Sequence, residues 1–183
     1  MIQNHLFVVR HGESENNLLE VDSSRLENKD QFGLSECGRK ETEIEAEKFE
    51  DFDLIISSPF RRAKETALIF GEVSQCDVIE NELLREVDVG DYELCKYETS
   101  DAFLERHGES IPYPNGESMS DVRSRTIEFF EQVKQTCSNK KILFVTHGWI
   151  VFYLIEHTDE TFDAKRYIDE YDEARKVVEL KCS

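Results

Sequence analysis

Short apolar runs alternate with longer amphipathic stretches along this chain. Leu6 to Val9 is apolar and ends at Arg10-His11-Gly12, the pattern of a buried strand running into a loop. Leu54 to Ile56 and Ile142 to Val145 repeat it, the latter most strongly. Asp77 to Ile79 reads as an edge strand and Lys176 to Leu180 as a last one. Between them lie helical patterns. Ser35 to about Phe49 carries a weak 3.6-residue repeat through Ile44, Lys48 and their neighbours. Ser58-Pro59 reads as a hydroxyl cap followed by proline at the first helical position, with Gly71 as the stop. Ser118 and Asp121 form a capping box for a helix whose inner face carries Val122, Thr126, Phe129, Phe130 and Val133. Gly148 to His157 is an apolar helix, and residues 160–171 look helical. Residues 87–116 are irregular, with one short helix near Asp101 to Arg106.

Buried strands alternating with helices predict a single α/β domain over residues 1–183: a three-layer sandwich with a mostly parallel central sheet and helices on both faces. In such sheets ligands sit at the carboxyl ends of the strands. Two strands end in Arg10-His11-Gly12 and Thr146-His147-Gly148, and a third leads into Ser57, Ser58, Arg61 and Arg62. Three separate strands therefore deliver His, His and Arg to one sheet edge.

Length and charge narrow the partners. The 183 residues suit one domain, and 40 acidic against 22 basic side chains leave a net charge of −18. A field of that sign disfavours nucleic acid and anionic lipid, and neither is expected as a partner. It also repels phosphorylated metabolites, so a phosphate enzyme with this surface must gather arginines into one pocket. The acid between Glu36 and Asp53 reads as the solvated face of a helix. The five cysteines are scattered and show no metal spacing, which suits reduced thiols in a cytoplasmic protein. No secretory leader is expected, and no apolar run approaches the roughly 20 residues that span a bilayer.

The residues at the predicted sheet edge suit phosphoryl transfer. A phosphomonoester dianion repels nucleophiles and carries a poor leaving group. Its cleavage needs cationic donors around the phosphoryl oxygens, an in-line nucleophile and an acid. Neutral imidazole is a competent nucleophile near neutrality, and arginine offers a planar fork that matches phosphate. No metal site or cofactor is expected, since no Cys/His or carboxylate spacing supplies one.

The stretch VVRHGESENN (8–17) strongly resembles the Arg-His-Gly signature of the histidine phosphatase superfamily, which includes the cofactor-dependent phosphoglycerate mutases. GLSECG (33–38), ISSPFRRAKETA (56–67), LLREVDVGDYE (83–93), NGESMSDVRSR (115–125) and VTHGWI (145–150) resemble it in the same order, so the likeness covers residues 6–150. It implies that His11 is the phosphorylated nucleophile, that Arg10 and His147 bind and stabilise the transferring group, and that Arg62 is the pocket arginine while Arg61 faces outward. It implies further that Asn17 hydrogen-bonds phosphate, that Gly148 belongs with the substrate-binding positions, and that Glu86 is the proton donor. Taken alone, Arg62 could be a surface ion pair with Glu65 or Glu86, His147 a structural histidine, and Glu82, Asp88 or Glu93 the acid instead of Glu86. Glu13 and Ser14 either line the pocket or hold its loop. Gly116 and Glu117 fit helix capping before any role at the pocket. His5, His107 and His157 lack motif context and read as structural or solvated.

Two residues depart from the family pattern: Trp149, where a small residue is usual, and Leu94, where glycine is common after Tyr-Glu. The last 33 residues match no segment of the pattern. The leading reading is a phosphomonoesterase acting on a small phosphorylated metabolite. A phosphoglycerate mutase is the alternative, but residues 90–115 are short where the mutases carry a longer insertion. A phosphoprotein phosphatase would need an open, shallow pocket, and a non-catalytic phosphate-binding module would not need this full residue set.

Overall fold

The structure, a computed structural model, describes residues 4–163 and 175–181. Five strands, β1 (His5–Arg10), β2 (Leu54–Ser57), β3 (Val78–Glu80), β4 (Lys141–Thr146) and β5 (Val178–Glu179), form one sheet in the order β3-β2-β4-β1-β5. The first four are mutually parallel, and β5 pairs antiparallel to β1 at the edge. The six helices are α1 (Glu15–Leu19), α2 (Glu36–Ala46), α3 (Arg61–Ser74), α4 (Tyr97–His107), α5 (Met119–Thr136) and α6 (Gly148–Thr158).

Side chains alternate across the sheet and so build two cores. Leu6, Val8, Ile56, Ile142 and Phe144 point to the layer of α5 and α6, where they meet Val122, Phe129, Phe130 and Leu154. Val9, Ile55, Leu143 and Val145 point the other way, against Ala46, Ala63, Ala67 and Phe70 of α2 and α3. Both faces of the central strands are thus covered, which is why they read as continuous apolar runs. The expected three-layer α/β sandwich is the observed architecture.

Several element boundaries differ from expectation for identifiable reasons. Ser58 does not cap α3. Its N–H still bonds the Val145 carbonyl at 2.9 Å, so the chain stays in the sheet one residue longer, and the helix begins at Arg61 after Phe60. Gly71 does not end that helix, which runs on to Ser74 and stops at left-handed Gln75. A Cβ at Gly71 would lie 2.8 Å from Val78 Cγ2, so its glycine permits close approach to β3. Ile44 is exposed. The buried face of α2 is Gly38, Thr42 and Ala46, small enough to bring the helix against the Glu13 backbone. The helix expected near Asp101 begins earlier, at Tyr97, and the short α1 had no sequence signal. The helix expected at 160–171 lies largely outside the described residues. Capping by Ser118 and Asp121 and all five inward residues of α5 are as expected.

The departure at Leu94 has a backbone cause. Glu93 (φ −50°, ψ 131°) and Leu94 (φ 62°) form the centre of a turn closed by the Cys95 N–H on the Tyr92 carbonyl at 2.9 Å, the pattern of a type II turn. Its third position favours glycine, because a Cβ is crowded at positive φ. Leu94 is 45% exposed and has little packing to lose. Leu94→Gly is therefore expected to stabilise the protein by about 1 kcal/mol, read as a rise in the urea unfolding midpoint. A lower midpoint would show that contacts of the leucine side chain outweigh the strain.

Candidate active site

The parallel register assembles the site. Arg10 lies opposite Thr146 and Ser57 opposite Val145, so the residues that follow, His11, His147 and Ser58, emerge side by side. The His11 and His147 rings meet edge to face with centroids 5.2 Å apart. His11 is 2% exposed and His147 is fully buried. The first turn of α3 places Arg62, also 2% exposed, between them, and Phe60 packs on both the guanidinium (4.8 Å) and the His147 ring (5.3 Å).

Hydrogen bonds define the protonation of His11. Its Nδ1 lies 2.7 Å from the Gly12 carbonyl, which can only accept, so Nδ1 carries the proton and Nε2 keeps its lone pair. Arg62 Nε donates to that Nε2 at 3.1 Å. Arg62 Nη2 donates to the Ser23 carbonyl at 2.8 Å and lies 3.3 Å from His147 Nδ1. Arginine has only protons to give, so His147 Nδ1 accepts, and Nε2 gives its proton to Ser58 Oγ, 2.8 Å away. Nη1 of the buried Arg62 has no hydrogen-bond partner among the described residues.

Electrostatics keep both imidazoles neutral. Burial first, then Arg62 and Arg10, hold the His11 pKa well below its ordinary 6.5, against the opposing pull of the Gly12 carbonyl. His147 is lowered likewise by burial, Arg62, His11, Arg10 and Arg125. Glu86 moves the other way. Burial raises its pKa above the usual 4.5, although Arg62, the Val87 N–H, Arg10 and Arg125 oppose the shift. Its Oε2 stands 3.6 Å from His147 Nδ1, too long for a hydrogen bond, and with a neutral imidazole there is no ion pair. Burial pushes Arg62 itself down to about 10, so it remains a cation.

The other expected residues fall as follows. Arg10 ends β1 beside His11, and Gly148 opens α6, where first-turn N–H groups lack intrahelical acceptors. Asn17 sits on α1, its Oδ1 accepting from Ser14 Oγ at 2.8 Å and its Nδ2 donating to the Tyr97 hydroxyl at 3.0 Å. Of the four nearby acids, Glu86 is the one beside His147. Glu82 is exposed, Asp88 accepts from the Gly90 N–H, and Glu93 is taken up by Ser24, Arg25 and Asn28. Arg61 faces outward and pairs with Glu65. Glu13 and Ser14 hold the loop, Glu13 through Ser35 Oγ at 2.6 Å. Trp149 packs on Phe152 and Tyr153. His5, His107 and His157 contact Glu179, Phe103 and Phe130 respectively, away from this group.

Sequence reasoning missed the supporting residues. Ser58 orients His147 instead of capping a helix. Thr66 Oγ1 accepts the Gly12 N–H at 3.0 Å, and Tyr97 ties α4 to Asn16 and Asn17. Glu117 is not a cap but the partner of Arg85 and Arg125. One signal for this was available: Arg125 interrupts the apolar face of α5. The described cysteines, Cys37, Cys76, Cys95 and Cys137, are free, and Cys182 lies outside the described residues. No described group of three or more His, Cys, Asp and Glu could hold a metal ion, and no described helix is long and apolar enough to cross a membrane.

The carboxyl edge of a mostly parallel α/β sheet thus brings two buried histidines around one buried arginine. The chain belongs to the histidine phosphatase superfamily (branch 1), whose sequence profile matches residues 6–169, beyond the 6–150 legible by motif. It is 32% identical over 150 residues to the uncharacterized phosphatase PhoE of Bacillus subtilis, covering 81% of this chain and 74% of the relative. It is 31% identical over 159 residues to a 2,3-bisphosphoglycerate-dependent phosphoglycerate mutase of Methylorubrum populi, covering 78% and 73%. Among solved structures, a mycobacterial glucosyl-3-phosphoglycerate phosphatase in complex with VO3 superposes with a TM-score of 0.74 at 25% identity, covering 88% of this chain and 84% of that one.

A further titrating group lies close by. Half-buried Asp22 accepts from Ser100 Oγ at 2.6 Å, yet burial, with Glu86, Asp101 and Glu93 nearby, pushes its pKa up to about 7. A folded-state pKa above the unfolded value means the native state holds the proton more tightly. The stability this contributes is complete below about 3.8 and is lost as pH rises through about 7. Asp22→Asn keeps an acceptor for Ser100 and removes the titration. Its urea midpoint relative to wild type is expected to rise between about pH 5 and pH 8. A difference that does not change with pH would contradict the assignment.

Proposed function

We propose that the protein is a phosphomonoesterase that hydrolyses a small phosphorylated metabolite through a phosphohistidine on His11, with Glu86 as general acid and base. The observation that carries this reading is the nucleophile and its cation together: His11 Nε2 is unprotonated and accepts from Arg62 Nε, a bond that attack on phosphorus would release, and Arg62 Nη1 is buried with no hydrogen-bond partner among the described residues. A buried donor without a partner is costly, and an anionic oxygen satisfies it. In the first step His11 Nε2 attacks phosphorus, the ester P–O bond breaks, and the leaving alkoxide takes the Glu86 proton. In the second, Glu86 takes a proton from water, the hydroxide bonds phosphorus, and the P–N bond breaks to return the imidazole. Arg10, Arg62, Asn17, Gly148 and neutral His147 bind and stabilise the transferring group. Deep burial of both histidines favours a small ester over a phosphoprotein. The short 90–115 segment, pinned by Asp91 N–H on the Pro114 carbonyl at 2.9 Å, favours water over a retained sugar acid as acceptor.

Two measurements test this. Brief incubation with labelled substrate and an alkaline quench should leave acid-labile, base-stable phosphate on the protein, absent in His11→Ala and retained in His157→Ala. Chased with 3-phosphoglycerate, the label should leave as inorganic phosphate. Transfer to phosphoglycerate would establish the mutase reading, and label on serine or aspartate would end both.

The second measurement concerns Glu86. An alkoxide needs a proton as it leaves, whereas nitrophenolate is already a stable anion. Glu86→Gln is expected to slow phosphorylation by alkyl phosphates by roughly 10²- to 10⁴-fold, with a much smaller loss for p-nitrophenyl phosphate. Equal losses in single-turnover kinetics would remove Glu86 as the acid.

A further inference from the structure

Behind the Glu86 carboxyl lies a second buried guanidinium that the proposed chemistry does not use. Arg125 is 7% exposed and projects from the otherwise apolar inner face of α5. A charge there is costly unless fully bonded, and each of its five N–H groups has an acceptor. Nη1 donates to the carbonyls of Leu83 (2.7 Å) and Arg85 (2.9 Å). Nη2 donates to the Glu86 carbonyl and to Glu117 Oε2, both at 3.1 Å, and Nε donates to Glu117 Oε1 at 3.0 Å. Glu117 also accepts from the Arg85 side chain and from the Asp88 N–H (3.1 Å). The remaining carbonyl of the segment, that of Leu84, accepts from Thr146 Oγ1 at 2.7 Å on β4. Four consecutive carbonyls ending at Glu86 are therefore tied down, three of them by one planar fork.

Glu86 itself lies in no helix or strand. It follows a single 3-10 turn, Glu82–Leu84, so regular structure does not set its position. Its carboxyl is held by its own neighbour, the Val87 N–H on Oε1 at 2.9 Å, and the backbone that carries it is held by Arg125. We propose that Arg125, with Glu117 as its counter-ion, is a positioning residue that holds the Glu86 backbone so that the carboxyl stands beside His147 and Arg62. It touches neither the substrate nor the reacting atoms. The proposal rests on Glu86 being the proton donor. It requires arginine in particular, because three carbonyls and a carboxylate spread around one plane need a rigid fork that the three protons of an ammonium cannot match.

The leaving-group dependence separates positioning from mere support of the fold. Full-length Arg125→Lys, shown folded by near-UV circular dichroism, is compared with wild type in single-turnover phosphorylation by glycerol phosphate and by p-nitrophenyl phosphate. The expected result is a loss of about 10- to 100-fold with the alkyl ester and under about 3-fold with the aryl ester. In the Glu86→Gln background, Arg125→Lys is expected to cause no further loss with the alkyl ester. Equal losses with both esters overturn the proposal, since a structural role would impair both alike. If Glu86→Gln splits the two esters and Arg125→Lys does not, the positioning role fails and Glu86 stands. If Glu86→Gln itself lowers both equally, both readings fall. Should Arg125→Lys not fold, Glu117→Gln, which keeps the shape and removes the counter-charge, is expected to show the same split to a smaller degree, and equal losses there overturn the proposal.

Discussion

Burial of the Arg62 guanidinium is the constraint on which the site depends. A cation removed from water costs several kcal/mol unless hydrogen-bond acceptors replace its hydration. This one finds the Ser23 carbonyl, the lone pair of His11 and Nδ1 of His147, and lies over the Phe60 ring. Each contact constrains a different part of the chain: the loop after α1, the end of β1, the end of β4 and the first turn of α3. Burial first, and then this same cation, favour the neutral form of both imidazoles, because protonating either would place a second positive charge in a buried space. One guanidinium therefore ties these four segments together and, with burial, favours neutral imidazoles, the form the proposed attack by His11 would need.

The acidic surface and the cationic interior are two sides of one arrangement. Most of the basic side chains in ion pairs among the described residues are exposed, as Arg61 is with Glu65, Arg123 with Glu156 and Lys40 with Glu36; such pairs contribute little to stability. The two arginines that burial takes furthest from water, Arg62 and Arg125, both act on Glu86. Positive potential is thus concentrated where a phosphate dianion would need it, while the rest of the molecule repels anions. Glu86 and Asp22 both hold their protons more tightly than free carboxylates: burial outweighs the nearby cations at Glu86, and at Asp22 it outweighs the Ser100 hydrogen bond and is joined by neighbouring carboxylates. A raised carboxyl pKa favours the protonated form from which a general acid would act.

What was legible from the residues followed from period and termination. Apolar runs ending in Arg-His-Gly and Thr-His-Gly identified the strands and the edge to which His11, His147 and Arg62 come, and the apolar stripe of α5 identified its buried face. These are local properties: side-chain alternation in a strand and the 3.6-residue repeat of a helix depend on the chain's own geometry. The start of α3, the continuation of that helix through Gly71 and the exposure of Ile44 were not legible, because each depends on how closely another segment approaches. Only the tertiary structure decided them, through the Val145 carbonyl that keeps Ser58 in the sheet, the Val78 side chain against Gly71 and the Glu13 backbone against α2. The division holds within the site as well. The likeness of the motifs to a known family was enough to nominate His11, Glu86 and His147. The tautomer of His11, the closeness of Glu86 to His147, and the contacts of Ser58, Glu117 and Arg125 came from distances between residues far apart in the chain, which no local pattern encodes.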